Sequence, residues 1–303
     1  MKRDILSVFD MEGDLEQIID LSIKLKKNRY ESYDVAHNRV LGMIFEKPST
    51  RTRVSFETAI DQLGGHAIYL NPNDMQIGRG ETIADTGRVL SRFVDAIAYR
   101  AFKHTNVVEL ANNSSIPVIN ALDDVEHPVQ IVADYTTFLE KIHSFHGKKL
   151  AYVGDGNNMA NSLIIGAAIL GVDISIGCPK GHEPDRKLLE RSRNLAKMTG
   201  SSIQITDSPL EAVSGADAVY ADVWVSMGEE SQKAEKERAF RPYQVNQELM
   251  DKAGKNAIFL HCLPAHRGME VTDEVIDGVR SCVFDQAENR LHTEKAILLT
   301  VLS

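Results

Sequence analysis

The chain has 303 residues, a length that corresponds to about two domains at ~150 residues per domain. Apolar residues make up 43% of it and charged residues 25%, which excludes a collagenous, disordered or coiled-coil protein. With 34 basic and 43 acidic residues the net charge is −9. We therefore expect no nucleic-acid partner, although a few arginines could still bind a small anion.

Hydropathy and cysteine content indicate the cellular compartment in which we expect the protein. No apolar run approaches the ~20 residues that a membrane span needs, and the N-terminus turns acidic too early for a secretory signal. The three cysteines, Cys178, Cys262 and Cys282, are too few and too widely spaced for a disulfide framework or a zinc ribbon. We expect a reduced, cytoplasmic protein that has no contact with a membrane.

Short apolar or β-branched runs alternate with helical patterns along the chain. The runs that predict strands are residues 40–45, 66–70, 95–99 and 117–121, followed by 149–153, 173–177, 202–206, 216–220 and 257–260. This alternation is typical of α/β proteins, in which helices flank parallel sheets. Nine strands predict two such sheets, and hence two α/β domains.

Helical spacing also predicts how the two domains are connected. Ile131, Phe138 and Ile142 share one face of a helix that we place at 131–146, ended by His146-Gly147. The domains are then 1–130 and 131–287, and a C-terminal helix over 288–303 returns to the first domain. Because ligands of open parallel sheets bind at the carboxyl ends of strands, we expect the active site in a cleft between the domains.

The first motif follows the first strand. Residues 45–53 read Phe-Glu-Lys-Pro-Ser-Thr-Arg-Thr-Arg, with Ser49 as the predicted N-cap of a helix whose buried face includes Phe56 and Ile60. Residues 49–52 would then offer hydroxyls, an arginine and free N–H groups at the positive end of a helix, which favours a phosphate. A capped helix with solvated arginines is the alternative.

Two further motifs lie near predicted helix starts. His127-Pro128-Val129-Gln130 begins the connecting helix, where a His and an amide could hydrogen-bond a carbonyl group, or could simply form a polar first turn. Residues 154–159, Gly-Asp-Gly-Asn-Asn-Met, are similar to a dinucleotide fingerprint, but Met159 stands at the third glycine. We predict a tight strand–helix turn there and no NAD site.

The last two motifs follow late strands. Asp222 opens the stretch Asp-Val-Trp-Val-Ser-Met-Gly, and its carboxylate could hold a substrate ammonium unless the stretch is an ordinary surface loop. Residues 261–268, His-Cys-Leu-Pro-Ala-His-Arg-Gly, place Cys262 at the edge of the second sheet. No second Cys/His pair at ligand spacing accompanies them, so we predict no metal site.

Taken together, these motifs resemble the aspartate/ornithine carbamoyltransferases. Ser-Thr-Arg-Thr, His-Pro-x-Gln and His-Cys-Leu-Pro occur in that order and at matching separations, and residues 76–95 are similar to a loop and helix of the same family. The resemblance covers essentially the whole chain. Asp222, the Ser-Met-Gly element at 226–228 and His-Cys-Leu-Pro match the ornithine branch, whereas the aspartate branch needs cations to bind a second carboxylate.

The resemblance implies a set of site residues. Those for carbamoyl phosphate are Ser49, Thr50, Arg51, Thr52, Arg100, His127, Gln130, Cys262, Leu263 and Arg290, with Gln76 from its own or a neighbouring subunit. Those for ornithine are Asn158, Asp222, Ser226 and Met227. The catalytic groups among them would be Arg51, Arg100, His127, Asp222 and Cys262.

The resemblance further implies conversion of carbamoyl phosphate and L-ornithine into L-citrulline and phosphate, without cofactor or metal. It implies a homotrimer or a multiple of trimers, and a cis peptide bond between Leu263 and Pro264. Arginine biosynthesis, rather than degradation, is our expectation. The alternatives are a carbamoyltransferase for another acceptor (putrescine, acetylornithine or aspartate), a catalytically silent binding protein, and a nucleotide-binding α/β protein, which Met159 disfavours.

Overall fold

The computed structural model describes residues 2–29, 31, 35–77, 79–226, 231 and 233–302. The chain divides into two units, of which unit 1 comprises Met1–Thr136 and Glu288–Ser303 and unit 2 comprises Thr137–Ala287. No helix within the described residues is long and apolar enough to cross a bilayer. Each unit is built around one parallel sheet.

The sheet of unit 1 has four parallel strands. They are β1 (Val40–Phe45), β2 (His66–Leu70), β3 (Ala96–Arg100) and β4 (Val118–Leu122), in the spatial order β2-β1-β3-β4. Its helices are α1 (Leu15–Lys27), α2 (Arg51–Gln62), α3 (Ile83–Leu90) and α4 (His104–Asn113). Every residue of β3 is buried, as expected for a central parallel strand covered on both faces, while the edge strand β2 is partly exposed.

The sheet of unit 2 has five parallel strands. They are β5 (Lys149–Val153), β6 (Asp173–Gly177), β7 (Ile203–Thr206), β8 (Ala218–Ala221) and β9 (Ile258–Leu260), in the order β7-β6-β5-β8-β9. The helix α5 (Pro128–Ile142) precedes them. It is followed by α6 (Asn158–Leu170), α7 (Arg186–Thr199), α8 (Pro209–Val213), α9 (Lys233–Phe240), α10 (Gln247–Met250), α11 (Asp273–Ile276) and α12 (Val283–Leu302). The two predicted parallel sheets, with nine strands among the described residues, are confirmed.

Four predicted helix boundaries, in three helices, are wrong. The helix placed at 131–146 begins at Pro128 and ends at Ile142, because His143 adopts φ 64°, a left-handed conformation that terminates an α-helix. The C-terminal helix begins at Val283 rather than 288. In unit 1 the N-cap of α2 is Thr50 and not Ser49, and no side chain caps that helix.

The strand order locates the reactive edge of each sheet. In unit 1 the chain proceeds from β1 outward to β2 and then returns to the other side of β1 for β3, so the order reverses between β1 and β3. In unit 2 the same reversal lies between β5 and β8. Crevices form at the carboxyl ends of such strand pairs, because the connections on either side diverge to opposite faces of the sheet.

Candidate functional site

The first residues of α2 lie just beyond the carboxyl end of β1. The strand ends at Phe45, Pro48 follows three residues later, and the helix begins at Arg51. Since no side chain caps this helix, its first-turn N–H groups are not used by a cap and remain at the positive end of the helix. Thr52 is buried, whereas Thr50 is exposed and Ser49 half-buried. Together, a helix start and hydroxyl groups suit a tetrahedral anion.

A buried hydrogen-bond network in unit 1 centres on Arg290 of α12. Its Nη1 donates to Oε1 of Gln130 at 2.6 Å, and its Nη2 donates to Oγ1 of Thr52 at 3.1 Å. Nη2 also donates to Oε1 of Glu294 at 2.6 Å. Nε2 of Gln130 in turn donates to Oδ1 of Asp134 at 2.7 Å, which fixes the orientation of the Gln130 amide. Three helices thus bring predicted phosphate-end residues into one cluster.

His127 lies at the start of α5 and is buried among cations. Burial above all, together with three positive charges, holds the pKa of His127 well below its ordinary value. Those charges belong to Arg290, Arg100 and Arg51. Arg100 is the last residue of β3 and is itself buried. A neutral imidazole in this setting can donate an N–H to a carbonyl oxygen without adding further charge.

Gln76 lies apart from the other residues predicted to bind carbamoyl phosphate. It is an exposed residue in the loop between β2 and α3, and its carbonyl oxygen accepts hydrogen bonds from the N–H groups of Arg79 and Glu81. The structure therefore does not bring Gln76 into the Arg290 cluster. Its role stays a prediction.

In unit 2 a buried carboxylate, Asp222, lies at the carboxyl edge of the sheet. Asp222 follows β8 and is buried, and the Cys262 thiol, just beyond β9, donates to its Oδ1 at 3.1 Å. Nδ2 of Asn157 donates to its Oδ2 at 2.9 Å. Both oxygens of Asp222 are thus held by uncharged donors, and a carboxylate in this setting can accept hydrogen bonds from an amine.

Asn157 also builds the start of α6. Its side-chain Oδ1 accepts from the backbone N–H groups of Met159 and Ala160, as expected for an asparagine N-cap. The amide is therefore fixed at one end by the helix and at the other by Asp222. The predicted tight turn after β5 is present, and Gly156 is needed there because a Cβ would lie 2.4 Å from the backbone of residues 182–184.

The other residues predicted for the amino-acid substrate have different placements. Asn158 is the first residue of α6 and is half-buried. Ser226 is half-buried in the stretch after β8. Met227, and the following residues 228–230, lie outside the described residues.

Hydrogen bonds tie the His-Cys-Leu-Pro segment to its neighbours. The Leu263–Pro264 peptide bond is cis, as the resemblance implied, and Leu263 adopts φ 57°. The Nδ1 of His261 accepts from the Leu263 N–H at 2.9 Å, while its Nε2 lies 3.1 Å from Oε1 of Glu270. The ligand atoms of Asp222, His261 and Cys262 lie within 4.8 Å of one another, a spacing compatible with a metal ion. Both ring nitrogens of His261 are nevertheless already used.

Three residues of these clusters were not found by sequence reasoning: Asn157, Asp134 and Glu294. Each has a signal in the sequence. Asn157 directly precedes a helical pattern, which is typical of an N-cap. Asp134 follows Gln130 by four residues, and Glu294 follows Arg290 by four, so each pair lies on one face of a helix.

Comparison with known proteins gives matches over both units. Residues 3–140 match the family model described as aspartate/ornithine carbamoyltransferase, carbamoyl-P binding domain. Residues 146–301 match the model described as aspartate/ornithine carbamoyltransferase, Asp/Orn binding domain. The two models together cover nearly all of the chain.

Individual relatives cover the full length. A protein of Thermoplasma acidophilum named ornithine carbamoyltransferase, catabolic, is 65% identical over 100% of this chain and 99% of its own length. The solved ornithine carbamoyltransferase from Pyrococcus furiosus superposes with a TM-score of 0.95 at 48% identity, over 99% of this chain and 97% of its own. An anabolic ornithine carbamoyltransferase from Campylobacter jejuni superposes with a TM-score of 0.94 at 39% identity, over 99% of both chains.

Proposed function

Because the chain belongs to the aspartate/ornithine carbamoyltransferase family, and is therefore a carbamoyltransferase, we propose that it transfers the carbamoyl group of carbamoyl phosphate to the δ-amine of L-ornithine. The products are L-citrulline and phosphate. The observation that carries the choice of acceptor is the buried Asp222, held by the uncharged donors Cys262 and Asn157. A carboxylate suits an amine, whereas an aspartate acceptor would require cations at this edge.

Unit 1 supplies the groups proposed to bind carbamoyl phosphate. The start of α2, with Ser49, Thr50, Arg51 and Thr52, takes the phosphate through hydroxyls, N–H groups and a guanidinium. Arg290 already donates to Thr52 and Gln130, and its guanidinium contacts the phosphate beside them. Gln130, Arg100 and His127 take the carbamoyl end, and we extend this set to Gln76 and to the Cys262-Leu263 segment.

The reaction forms one C–N bond and breaks one C–O bond. The δ-nitrogen attacks the carbamoyl carbon, whose carbonyl oxygen becomes an oxyanion in a tetrahedral intermediate. Thr52, Arg100 and His127 stabilise that oxyanion, and loss of one such donor typically costs on the order of 10² to 10³ in rate. Collapse of the intermediate expels phosphate, which takes up the proton that the attacking nitrogen loses.

The nucleophile must be a neutral amine. An alkyl ammonium with a pKa of ~10.4 is neutral in only about one molecule in 10³ at pH 7. Asp222 accepts an N–H of the δ-amine and so orients its lone pair toward the carbamoyl carbon, while Asn158, Ser226 and Met227 bind the rest of the amino acid. We expect kcat to rise between neutral pH and about 9 as the amine is deprotonated.

That pH dependence can be separated from the titration of His127. Since the pKa of His127 lies well below its ordinary value, its imidazole is neutral throughout the range in which the amine titrates. A profile measured with both substrates saturating, and with chemistry rate-limiting, should rise with one proton. A flat profile would contradict the proposed role of the neutral amine.

Product formation tests the activity directly. The purified protein, carbamoyl phosphate and L-ornithine should yield citrulline, detected by colorimetry or mass spectrometry. Putrescine, acetylornithine and aspartate serve as competing acceptors and should react at least ~10²-fold more slowly, since each lacks or blocks a charge that the pocket recognises. Absence of citrulline, or a faster reaction with one of these acceptors, would overturn the proposal.

The biological setting forms a further part of the proposal. We propose a cytoplasmic homotrimer, or a multiple of trimers, which light scattering on the purified protein will test by its mass. We also propose a role in arginine synthesis, although the names of relatives include both catabolic and anabolic enzymes. A strain that lacks the gene should require citrulline or arginine, and growth without them would contradict synthesis.

A further inference from the structure

Glu294 is a carboxyl group in an unusual position for an anion-binding cluster. It lies on α12 with no exposed surface, one turn beyond Arg290. Its Oε1 accepts the 2.6 Å hydrogen bond from Nη2 of Arg290, the same nitrogen that donates to Thr52. A negative charge is therefore buried against the guanidinium that we propose contacts the phosphate dianion.

Apart from Asp134, the other groups of the cluster around Glu294 are cationic or neutral. Ser55 borders it from α2, and its hydroxyl donates to the carbonyl oxygen of Arg51 at 2.7 Å. The other charged or titratable groups of the cluster are Arg51 on α2, Arg100 on β3, His127 and Asp134 on α5, and Arg290 on α12. Asp134 is committed to the amide of Gln130. Glu294 is thus the acid that touches Arg290 directly.

We propose that Glu294 is a positioning residue that holds the guanidinium of Arg290 in place and, through its own charge, sets how tightly unit 1 binds the phosphate group. The inference rests on the proposed function, since it takes Arg290 as a phosphate contact. Ionised Glu294 pairs with Arg290 and repels the dianion. Protonated Glu294 keeps an oxygen acceptor for Arg290 while removing the repulsion.

The pKa of Glu294 determines the pH range over which its charge can affect binding of the dianion. Burial raises that pKa to about 7, although the Arg290 cation and the Ser55 hydroxyl oppose the rise. A bound dianion raises it further, so binding is coupled to uptake of a proton wherever free Glu294 is ionised. Affinity for the dianion should therefore be constant at low pH and fall as the pH rises through about 7.

Inorganic sulfate is the probe for this test, because it remains a dianion over the whole range. Its inhibition constant against carbamoyl phosphate is measured from pH 6 to pH 9 for the wild type and for Glu294→Gln, which keeps an amide oxygen for Arg290. The wild-type constant should rise about tenfold, a size expected for one nearby charge at an effective dielectric of ~20. The variant should change less than about twofold and bind sulfate more tightly at pH 9.

The matched control is Glu126→Gln. Glu126 is a second buried acid of unit 1 whose pKa burial raises to about 7, but its partners are Ser7 and the N–H of Val8. This variant should keep the wild-type pH dependence of sulfate binding. If the dependence disappears in Glu126→Gln and persists in Glu294→Gln, Glu126 is the titrating group and the inference is wrong.

Three further outcomes would overturn part or all of this account. If Glu294→Gln does not fold, proton uptake upon sulfate binding to the wild type at pH 8 is measured by calorimetry in buffers of different ionisation enthalpy, and zero uptake overturns the inference. A wild type that makes citrulline while the variant retains the full pH dependence overturns only the role of Glu294. A wild type that makes no citrulline overturns the proposed function itself.

Discussion

Unit 1 and unit 2 each carry a polar cluster at the point where their strand order reverses, but the two clusters have opposite charge. In unit 1 three arginines and the uncapped start of α2 surround a His127 whose pKa is depressed. In unit 2 one carboxylate, Asp222, receives hydrogen bonds from Cys262 and Asn157. The same sheet topology therefore presents a cationic cluster in one unit and a carboxylate in the other.

The difference shows that topology sets where a site forms and side chains set what it binds. Both units place polar residues at or shortly after the carboxyl end of a central strand, since that is where parallel strands end at one edge. Unit 1 fills those positions with guanidinium groups and hydroxyls, which suit a phosphate. Unit 2 fills them with an acid and two neutral donors, which suit an amine. Four substitutions test this division, beginning with the largest expected effect.

Of the four substitutions, Arg290→Met should impair the use of carbamoyl phosphate most. The change removes the hydrogen bonds to Thr52 and Gln130 and leaves Glu294 buried without its cation, so kcat/KM for carbamoyl phosphate should fall about 10³-fold or more. Arg39→Met is the control, since Arg39 pairs with Asp95 at the surface of unit 1. Steady-state kinetics with saturating ornithine measure both. Equal losses in the two variants would contradict the assignment.

Asp222→Asn should impair the use of ornithine while leaving binding of the phosphate group unchanged. Loss of the charge and of one acceptor oxygen should lower kcat/KM for ornithine about 10²- to 10³-fold, because a charged hydrogen bond becomes a neutral one. Sulfate should still bind to the variant with the wild-type constant. Asp251→Asn, at an exposed acid paired with Arg280, should change neither value. Loss of sulfate binding in Asp222→Asn would remove the proposed division between the units.

Asn157→Ala tests whether the orientation of Asp222 matters beyond its charge. The variant loses the 2.9 Å hydrogen bond to Asp222, and we expect KM for ornithine to rise about tenfold, the loss of one charge-assisted hydrogen bond. It also loses an N-cap, which costs about 1 kcal/mol of folding stability. Asn246→Ala, which removes the N-cap of α10 in the same unit, controls for that cost. A rise in KM in both variants would show a general effect of stability.

Cys262→Ser should have the smallest effect of the four. A hydroxyl can replace the thiol as donor to Asp222, so kcat should fall only a few-fold, whereas Cys262→Ala should lower it about tenfold because the donor is lost. Cys178→Ser is the control, since burial raises the pKa of that thiol to about 12 and keeps it protonated. Equal rates for the Ser and Ala variants at position 262 would exclude a role for the donor.

Local sequence patterns predicted much of the fold and part of each cluster. Period and composition predicted all nine strands of the described residues to within one or two residues at each end. Errors in helix boundaries arose where the backbone conformation, rather than the side-chain pattern, determined the end of the helix. His143 ends α5 by adopting a left-handed conformation, and nothing in a histidine signals that choice.

Local sequence patterns could not predict contacts between segments that are far apart in the chain. Arg290 and Thr52 lie 238 positions apart in the chain, and no spacing rule links them. The same holds for Asn157 and Asp222, 65 positions apart. The resemblance to a family supplied Arg290 and Asp222 as candidates, but it did not supply Glu294 or Asn157, which act on them.

The alternation of strands and helices, the charge of each motif and the family follow from the sequence alone, because they depend on residues that are neighbours in the chain. Tertiary structure decided which side chains share a hydrogen bond, since strand order brings residues after β5, β8 and β9 to one edge regardless of their separation. Tertiary structure also determined the protonation of buried groups. Burial moves the pKa of Glu294 and of His127 in opposite directions, because a low-dielectric interior favours the neutral form of each.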